Sequence, residues 1–437
     1  MDQNQAAVTV IGGGLAGSEA AWQIARRGVE VRLIEMRPHQ STPAHHTPWL
    51  AELVCSNSLR SNELTNAAGL LKEELRRLKS LIIDCADRHR VPAGSALAVD
   101  RASFSQEVTH RIEQHPRITI ERREAKSLDP QELTVVATGP LTSPAMADAI
   151  QSLTGEEYLY FYDAAAPIVT LESLDLSQMY WASRYGRGEA DYLNAPLDCR
   201  QYQEFHRALR SAERHRGEDA GELRYFEGCM PVEVLADRGE ETLRFGPMKP
   251  VGLPDPRTGR EPYAVVQLRR DNREGTLLNL VGFQTQLKWP EQERVFRLIP
   301  GLKQAEFIRL GVIHRNTYLN SPRLLLPTLQ LRRHPKLLFA GQITGVEGYI
   351  ESTATGLLAG INAARLFKGQ PPLALPPTTA LGALCHYITS AVTPSFQPMN
   401  IAFGLLPPLP RRIKDKRRRN QALAERALQA LENFMNF

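Results

Sequence analysis

Cysteine is scarce in this chain, which has only five in 437 residues, at positions 55, 85, 199, 229 and 385. Because no two of them form a C-x-x-C pair, the spacing argues against a disulfide framework, a zinc site and a thioredoxin-type redox pair. His45 and His46 are adjacent but have no further ligands nearby, so we predict no metal site. Few and widely spaced cysteines are typical of a reducing compartment, and we expect a cytoplasmic protein.

Long apolar runs are absent as well. No stretch approaches the roughly 18 apolar residues of a transmembrane helix, so we expect no membrane partner. The polar N-terminus MDQNQAA leads directly into an apolar strand, which predicts that there is no signal peptide. The hydrophobic content of 42% is ordinary, and the length is enough for two or three domains with sizeable cores.

The best-defined motif is the glycine-rich stretch VTVIGGGLAGSEAAWQIARRGVEVRLIE at 8–35. It has the order strand, tight turn, helix, strand and acid, and its glycines have the G-x-G-x-x-G spacing of a dinucleotide-binding turn. The helix predicted over 15–27 directs its positive N-terminal end at a pyrophosphate. A carboxylate after the second strand accepts hydrogen bonds from an adenosine ribose. The predicted cofactor-binding residues of this motif are Gly12, Gly13, Gly14, Leu15, Ala16, Gly17 and Glu35.

The motif alone leaves open whether the dinucleotide is FAD or NAD(P). The alternative is that the turn binds no ligand and that its glycines serve only the close packing of the strand against the helix. Alternating strand and helix patterns continue to about residue 145 and predict a parallel sheet with helices on both faces. Within this segment, helical spacing of apolar residues predicts one helix over 70–88, and a short apolar run predicts a strand at 96–99.

The pattern changes at about residue 150, where tyrosines crowd together and the strands look antiparallel, and it returns to the first type near residue 336. We therefore predict an α/β fold with a Rossmann-like cofactor-binding domain and an inserted α+β domain. A C-terminal helix is predicted over 411–433. The predicted divisions are 1–148 and 333–370 for the two parts of the cofactor-binding domain, 149–332 for the inserted domain and 371–437 for a C-terminal helical segment.

Three segments together resemble the large glutathione-reductase-like family of FAD proteins: GGGLAG at 12–17, VVATGP at 135–140 and FAGQITGVEGYIESTATGLLAG at 339–360. In that family the last segment approaches the flavin ring. The resemblance therefore favours FAD as the ligand of the first motif. It also implies cofactor contacts at Gly139, Gly341, Gln342 and Gly345.

A narrower resemblance extends over nearly the whole chain, to the folate- and FAD-dependent tRNA (uracil-5-)-methyltransferases. The matching segments are EMRP at 35–38, ELVCSNSLRS at 52–61, YFEGCMPVE at 225–233, LRFGPMKPVGL at 243–253, VVQLRRDN at 265–272, VGFQTQLKWPEQ at 281–292 and GQITGVEGYIES at 341–352. The resemblance implies that 5,10-methylenetetrahydrofolate donates a one-carbon unit through FAD to C5 of uridine 54 in the tRNA T loop. NADPH or NADH supplies the electrons, and S-adenosylmethionine is not used. It implies no obligate protein partner.

The implied chemistry requires a reactive cysteine, because C5 of uracil is a poor nucleophile until a thiolate adds to the ring. The resemblance gives this role to Cys229 and an assisting role near the flavin, in proton transfer, to Cys55. Apart from the family match, a lone cysteine is more often a small core residue. Residues of the second glycine loop that are candidates for contacts with flavin, folate or nicotinamide are Glu347, Tyr349, Glu351 and Ser352. His45 and His46 in the first long loop are candidates for contacts with folate or substrate.

Contacts with tRNA are expected to be mainly electrostatic, with an exposed or flipped T-loop base. The basic candidates are Arg207, Arg210, Arg214, Arg216, Arg269, Arg270 and the run RRIKDKRRR at 411–419. Three other functions remain open: an FAD- and folate-dependent wobble-uridine enzyme with a partner GTPase, an NAD(P)H-dependent flavin oxidoreductase, and a non-catalytic FAD-binding RNA chaperone. The first has a longer C-terminal helical domain, and the second needs no nucleic-acid surface.

Overall fold

The computed structural model of the chain describes residues 7–156, 158–186, 189–215, 225, 230–391 and 396–435. The strands within these residues are β1 (Val8–Ile11), β2 (Val31–Glu35), β3 (Ser58–Ser61), β4 (Arg90–Val91), β5 (Ala96–Val99), β6 (Ile118–Arg122), β7 (Thr134–Val136), β8 (Leu159–Ala164), β9 (Ile168–Thr170), β10 (Tyr180–Ala182), β11 (Tyr192–Leu197), β12 (Ala264–Arg270), β13 (Leu277–Leu280), β14 (Phe307–Arg309), β15 (Ile313–Tyr318), β16 (Gln330–Leu331) and β17 (His334–Phe339). The α-helices are α1 (Leu15–Ala25), α2 (Ala67–Arg77), α3 (Leu81–Arg88), α4 (Arg101–Glu113), α5 (Pro144–Thr154), α6 (Cys199–Ser211), α7 (Val232–Asp237), α8 (Thr242–Phe245), α9 (Trp289–Phe296), α10 (Ser321–Leu324), α11 (Tyr349–Phe367), α12 (Ala380–Ser390) and α13 (Lys416–Met435).

The main sheet has the strand order β16-β17-β7-β1-β2-β6, and its strands are parallel except for the antiparallel pair β16–β17. Neighbouring residues of β1, such as Val10 and Ile11, belong to different cores, because successive side chains of a strand point to opposite faces. Helices α1 and α11 cover one face, and α5 contributes to the core on the other. The predicted α/β fold with helices on both faces of a parallel sheet is confirmed.

A second, antiparallel sheet has the order β10-β11-β12-β13-β9-β14 and packs on α6, α7 and α9 around its own core. The strands β8 and β15, which precede and follow the strands of this sheet in the chain, form a separate antiparallel pair. All these strands lie within 149–332, and their antiparallel arrangement agrees with the inserted α+β segment. The exact divisions at 148, 332 and 370 stay a prediction.

Some elements differ from the sequence prediction. The helix predicted over 70–88 is two helices, α2 and α3, because Lys79 has a left-handed backbone with φ of 61° and the Ser80 side chain caps α3. The strand predicted at 96–99 is present as β5, but it joins a small antiparallel sheet with β3 and β4. The C-terminal helix begins at Lys416, since Asp415 accepts the N–H groups of its first turn.

Helices α1 and α11 pack closely against each other, and this contact joins the N-terminal segment of the chain to the segment that returns to the same sheet with β17. A Cβ atom on Gly356 of α11 would lie 2.2 Å from the carbonyl oxygen of Ala16 in α1. One on Gly360 would lie 2.6 Å from the carbonyl oxygen of Ala20. The small-residue pattern of α11 therefore serves helix packing at these two positions. Among the described residues, no helix is both long and apolar enough to cross a bilayer.

Candidate active site

A cavity of about 410 Å³ opens at the carboxyl ends of β1, β2 and β7. This is the edge at which open parallel sheets bind ligands. The helix starts of α1 and α11, the loop around Cys55 and strand β15 complete its walls. The residues named from the sequence that line it are Gly12, Gly14, Leu15, Ala16, Glu35, His45, Cys55, Gly139, Gly341, Gln342, Glu347, Tyr349 and Ser352.

The glycine turn has the geometry that its spacing requires. Gly12 has φ of 100°, and a Cβ atom there would lie 2.4 Å from the carbonyl oxygen of Ala137. A Cβ atom on Gly17 would lie 1.7 Å from the carbonyl oxygen of Gly12, so Gly17 allows α1 to pack on the turn. Gly14 instead has open space within 4 Å and is the N-cap of α1, without a side-chain cap. The open helix N-terminus thus faces the cavity.

Glu35 has a buried carboxylate that holds the glycine turn in place. Its Oε2 accepts the N–H of Gly13 at 2.6 Å, and its Oε1 accepts the backbone N–H and Nε–H of Arg37 at 3.0 and 2.9 Å. Burial raises the pKa of Glu35, but the Arg37 charge and the N–H donors outweigh it and lower the pKa. The carboxylate is therefore ionised. It has about four acceptor positions, of which these three bonds leave room for a ribose hydroxyl.

FAD fits these residues on two observations. The first turn of α1 is uncapped and has no acidic residue, which suits a pyrophosphate. The N-cap of α11, Gly348, also has no side-chain cap and lines the same cavity. Two helix N-termini on one cavity match a ligand that has a diphosphate at one end and a polar ring edge at the other.

Cys55 lines the same cavity as the glycine turn and is half-buried. Its N–H donates to the Tyr349 hydroxyl at 2.7 Å, and the N–H of Ser56 donates to the same oxygen at 3.1 Å. Its thiol Sγ lies 3.7 Å from the carbonyl oxygen of Ala164 in β8. Tyr349 therefore joins the start of α11 to the Cys55 loop, and its hydroxyl has a structural role in this position.

Arginines from the antiparallel domain and α4 hold the same loop. Buried Arg269 donates to Asn57 Oδ1 at 2.9 and 3.1 Å and to Ser56 Oγ at 3.0 Å. Arg101 donates to the carbonyl oxygen of Leu53 at 2.7 Å and pairs with Asp271 at 2.9 Å. Because Arg269 is buried and engaged with this loop, it is not available as a surface contact for RNA.

The residues of the second glycine loop, 341–352, differ in whether they line the cavity. Gly345 does not line the cavity; it packs on Phe396, whose ring would lie 2.4 Å from a Cβ atom there. Glu351 is fully buried and forms an ion pair with Arg60, which does line the cavity. Its Oε1 also accepts the N–H of Ile401 at 2.9 Å. Glu351 therefore anchors neighbouring chain segments, while Glu347 and Ser352 reach the cavity wall.

A buried lysine supports the strand that carries Arg60. The ammonium group of Lys72 donates to the carbonyl oxygens of Leu59 and Ser61 at 2.8 and 2.7 Å. Burial lowers the pKa of Lys72 to about 7, assisted by the positive charge of Arg60. Since Arg60 has φ of 62°, this strand is irregular, and Lys72 satisfies carbonyl groups that regular pairing leaves free.

Cys229 lies outside the described residues. The described residues before and after it are attached to one segment of the antiparallel domain. The Tyr225 hydroxyl donates to Gln286 Oε1 at 2.6 Å, and the N–H of Val232 donates to the carbonyl oxygen of Gln284 at 2.7 Å. Gln284 itself lines the cavity.

Several cavity residues were not identified from the sequence. They are polar or charged residues on loops and on the strands β3 and β15, such as Arg37, Glu52, Arg60, Gln284, Asn316 and Asn400. The position of Arg37 at the cavity could have been predicted, since it lies two residues after the acid of the glycine-rich motif. The position of Asn316 at the cavity could not have been predicted from the sequence, because only the pairing of β15 with β8 brings it there.

Comparison with known proteins agrees with this geometry. Residues 7–371 match the family model described as glucose inhibited division protein A. A protein of Heliobacterium modesticaldum named methylenetetrahydrofolate--tRNA-(uracil-5-)-methyltransferase TrmFO is 63% identical over 98% of both chains. One of the same name from Moorella thermoacetica is 64% identical over 97% of both chains.

A solved structure of Aquifex aeolicus GidA has a TM-score of 0.71 to this chain with 17% sequence identity, and the match covers 98% of this chain and 73% of that one. This likeness shows a shared fold. The matches to the two methyltransferases, in contrast, combine high identity with nearly full length. The chain belongs to the glucose inhibited division protein A family and, within it, to the methylenetetrahydrofolate--tRNA-(uracil-5-)-methyltransferase TrmFO family.

Proposed function

We propose that this protein methylates C5 of uridine 54 in the tRNA T loop, with 5,10-methylenetetrahydrofolate as carbon donor and NADPH or NADH as reductant. The net reaction converts uridine, the folate donor, NAD(P)H and a proton to 5-methyluridine, tetrahydrofolate and NAD(P)⁺. Its main support is the joining of the glycine turn, the Cys55 loop and Gln284 in one cavity. The relatives that carry this activity in their names match the chain along nearly its whole length.

The chain's own residues bind and orient the cofactor. When bound and reduced, FAD supplies the one-carbon transfer and redox chemistry that amino-acid side chains lack. The uncapped start of α1 would hold its diphosphate, and the Glu35 carboxylate would accept a hydrogen bond from its ribose. The start of α11 at Gly348 would hold the polar edge of the ring. Gly139 and Gly341 line the same cavity beside the two sheet strands.

Two cysteines act on the uracil ring in different steps. The thiolate of Cys229 adds to C6, which turns C5 into an enolate-like nucleophile. The carbon arrives at C5 at the methylene level, so it also loses its bond to nitrogen and takes up the hydride equivalent that NAD(P)H ultimately supplies, which makes it a methyl group. The C5 proton leaves to a base and the bond between sulfur and C6 breaks, which restores the C5–C6 double bond. Cys55 takes the C5 proton, because its loop lines the cavity and is held rigidly by Tyr349 and Arg269.

The exposure and pairing of the basic side chains reduce the list of candidate residues for tRNA contacts. Arg210 and Arg214 both pair with Asp237, so their charges are partly neutralised. Arg270 lies over the Trp181 ring at 5.1 Å. Arg207 is exposed, and so are all the basic side chains of the run 411–419. Arg216 lies outside the described residues. The run 411–419 is therefore the main candidate for phosphate contacts.

The test is a transfer assay with a mapped product. Purified protein with bound flavin is incubated with T-loop-unmodified tRNA, labelled methylenetetrahydrofolate and NADPH or NADH. We expect label at uridine 54 and none from labelled S-adenosylmethionine. Label at the wobble position, or NAD(P)H oxidation without any label in tRNA, would reject the proposal in favour of one of the rival functions.

Cysteine variants test the assigned roles. Cys229→Ala and Cys55→Ala should keep the flavin and lose transfer to tRNA by at least about a hundredfold, because general acid–base and nucleophilic steps each contribute that much or more. Cys385→Ala is a matched control, since this cysteine is buried away from the cavity. Normal methylation by Cys229→Ala would show that the nucleophile is another residue.

A further inference from the structure

The side chain of Asn316 is a buried amide that has no hydrogen-bond partner among the described residues. It lies on β15, is 1% exposed and lines the cavity. Within the part of the chain that the structure describes, both its Nδ2 and its Oδ1 are unpaired. Buried amides in folded proteins almost always have at least one partner, so this group requires an explanation.

The strand that carries Asn316 is held at several points. The N–H and Oγ1 of the next residue, Thr317, donate to the carbonyl oxygen of Pro140 at 3.0 and 3.1 Å. The N–H of Leu319 donates to the carbonyl oxygen of Ile343 at 2.8 Å. Ile313 at the start of β15 pairs with Ala164. The backbone at Asn316 is therefore fixed, and β15 cannot turn this residue away from the cavity without breaking these contacts.

The same contacts place Asn316 between the reactive parts of the cavity. Toward one end of β15, the carbonyl of Ala164 contacts the thiol of Cys55. Toward the other, Ile343 belongs to the second glycine loop and Pro140 follows Gly139. Asn316, the glycine turn and Cys55 line one cavity, so a ligand that fills it from the glycine turn to Cys55 can contact this amide.

A carboxamide offers an N–H donor and a carbonyl acceptor side by side. Its complement is a lactam or imide edge, in which a ring carbonyl stands next to a ring N–H. The pyrimidine edge of a flavin, the pterin of a folate and the uracil base all have this edge. We propose that Asn316 is a binding residue that pairs with the lactam or imide edge of one ring in the reaction, an inference that rests on the proposed function.

The test compares Asn316→Leu with wild type in three binding measurements. The first is FAD retention on dilution, followed by flavin fluorescence. The second is tetrahydrofolate affinity of the flavin-bound protein by equilibrium dialysis. The third is the affinity ratio for a T-arm hairpin with uridine against an abasic site at the target position. We expect one of the three to weaken by about tenfold, because its donor and acceptor lose their partner.

A second variant tests the donor. Asn316→Asp keeps the shape but replaces the amide nitrogen by oxygen, so the ionised carboxylate cannot donate. We expect the same binding measurement to be weakened at pH 8 and partly restored at pH 5, because burial at this position raises the pKa of the new carboxyl and its protonated form offers both a donor and an acceptor. A merely structural role would not produce this recovery in one ligand alone.

The unfolding temperatures of two variants distinguish a binding role of Asn316 from a structural one. In excess FAD, Asn316→Leu should lose no more stability than its own loss of FAD affinity accounts for, because it leaves no new buried polar group unpaired. The matched control is Asn362→Leu, which should destabilise the protein. The amide of Asn362 is fully buried and is bonded to Thr328 and Leu373.

The proposal is overturned if all three affinities stay within twofold of wild type. It is also overturned if Asn316→Leu lowers the unfolding temperature as much as Asn362→Leu does. The flavin and folate measurements do not depend on methylation. If the wild type bound both ligands and failed to methylate tRNA, the proposed function would fail while the test of Asn316 remained decisive.

Discussion

At the scale of single residues, the cavity depends on side chains that bond to backbone groups of distant loops. Tyr349 accepts two N–H groups of the Cys55 loop, and Glu35 accepts the N–H of Gly13 in the glycine turn. Each contact joins segments that are far apart in the chain. The positions of reactive atoms are thus set by residues that have no chemical step of their own.

Tyr349→Phe should slow methyl transfer by about tenfold and leave the flavin bound. The change leaves the N–H groups of Cys55 and Ser56 without their acceptor, which costs about 1–3 kcal/mol and loosens the loop. The measurement is single-turnover transfer to tRNA, together with the alkylation rate of Cys55. Tyr387→Phe is the control, since its hydroxyl bonds to Gln397 in an exposed position. An unchanged transfer rate would show that the hydroxyl does not hold the loop.

At the scale of elements, the contact between α1 and α11 holds together the two halves of the cofactor site. Gly356→Ala should destabilise the protein by about 3 kcal/mol, because the new Cβ atom would meet backbone atoms of Ala16 that cannot easily move aside. Since Ala16 also lines the cavity, FAD should bind more weakly.

Thermal unfolding and flavin titration measure both effects of Gly356→Ala. Gly404→Ala serves as the control, because a Cβ atom there has nothing within 4 Å. A Gly356→Ala protein as stable as Gly404→Ala would show that α1 and α11 can separate without consequence.

The first turn of α13 is basic, which is unfavourable for a helix. Lys416, Arg417, Arg418 and Arg419 stand at its positive end, where each cation costs about 0.3–1 kcal/mol. Asp415 offsets them in part, by accepting the N–H of Arg418 at 2.8 Å. Such an arrangement is better explained by a bound polyanion than by helix stability.

Replacing these four residues by glutamine should leave the unfolding temperature unchanged or raise it, while tRNA affinity falls. The plot of log affinity against log salt concentration should become shallower by about one for each phosphate that the variant no longer neutralises. Filter binding at several salt concentrations measures the slope. Replacing exposed Lys303 by glutamine measures the effect of removing one positive charge elsewhere on the surface, and the comparison is made per charge removed. Equal slopes for the quadruple variant and wild type would exclude this turn from the interface.

At the scale of the whole molecule, buried carboxylates join separate parts of the chain. Glu74 in α2 accepts the N–H groups of Ala380 and Leu381 at 2.6 and 2.9 Å and so caps α12. Burial raises the pKa of Glu74 from 4.5 to about 7, although the two N–H donors oppose the shift. The C-terminal segment is thereby linked to the first part of the cofactor-binding domain through a titratable group.

The raised pKa of Glu74 makes the stability of the protein depend on pH. Because the folded state binds the proton more tightly than the unfolded chain, the contribution is full below pH 4.5 and is lost as pH rises to about 7. The loss is on the order of 3 kcal/mol. Glu74→Gln cannot ionise and keeps an acceptor, so its stability relative to wild type should increase between pH 5 and pH 8.

Denaturant midpoints at several pH values check the Glu74 prediction. Glu73→Gln is the neighbouring control with the same change of charge. Glu73 is partly exposed and pairs with Arg76 and Arg77 on the surface, so its removal should cost less than about 1 kcal/mol. Parallel pH curves for wild type and Glu74→Gln would mean that Glu74 does not titrate in this range.

The features that depend on local geometry could be predicted from the amino-acid sequence alone. The order β1, glycine turn, α1 and β2 follows from apolar runs and from Gly12 and Gly17, whose positions allow no Cβ atom. The antiparallel strands of the inserted segment followed from their composition. The helical spacing over 70–88 was correct for packing but missed the break at Lys79, because a single left-handed residue leaves the apolar pattern almost unchanged.

The set of distant residues that meet at the cavity, in contrast, depends on the tertiary structure. Asn316 and Gln284 reach it because β15 pairs with β8 and the antiparallel sheet lies beside the Cys55 loop. Arg269, a candidate for tRNA contacts on the basis of the sequence, is buried against the Cys55 loop. The physical reason is that these contacts join residues far apart along the chain. Periodicity and turn chemistry describe neighbours along the backbone, while burial and hydrogen bonding select partners across the fold.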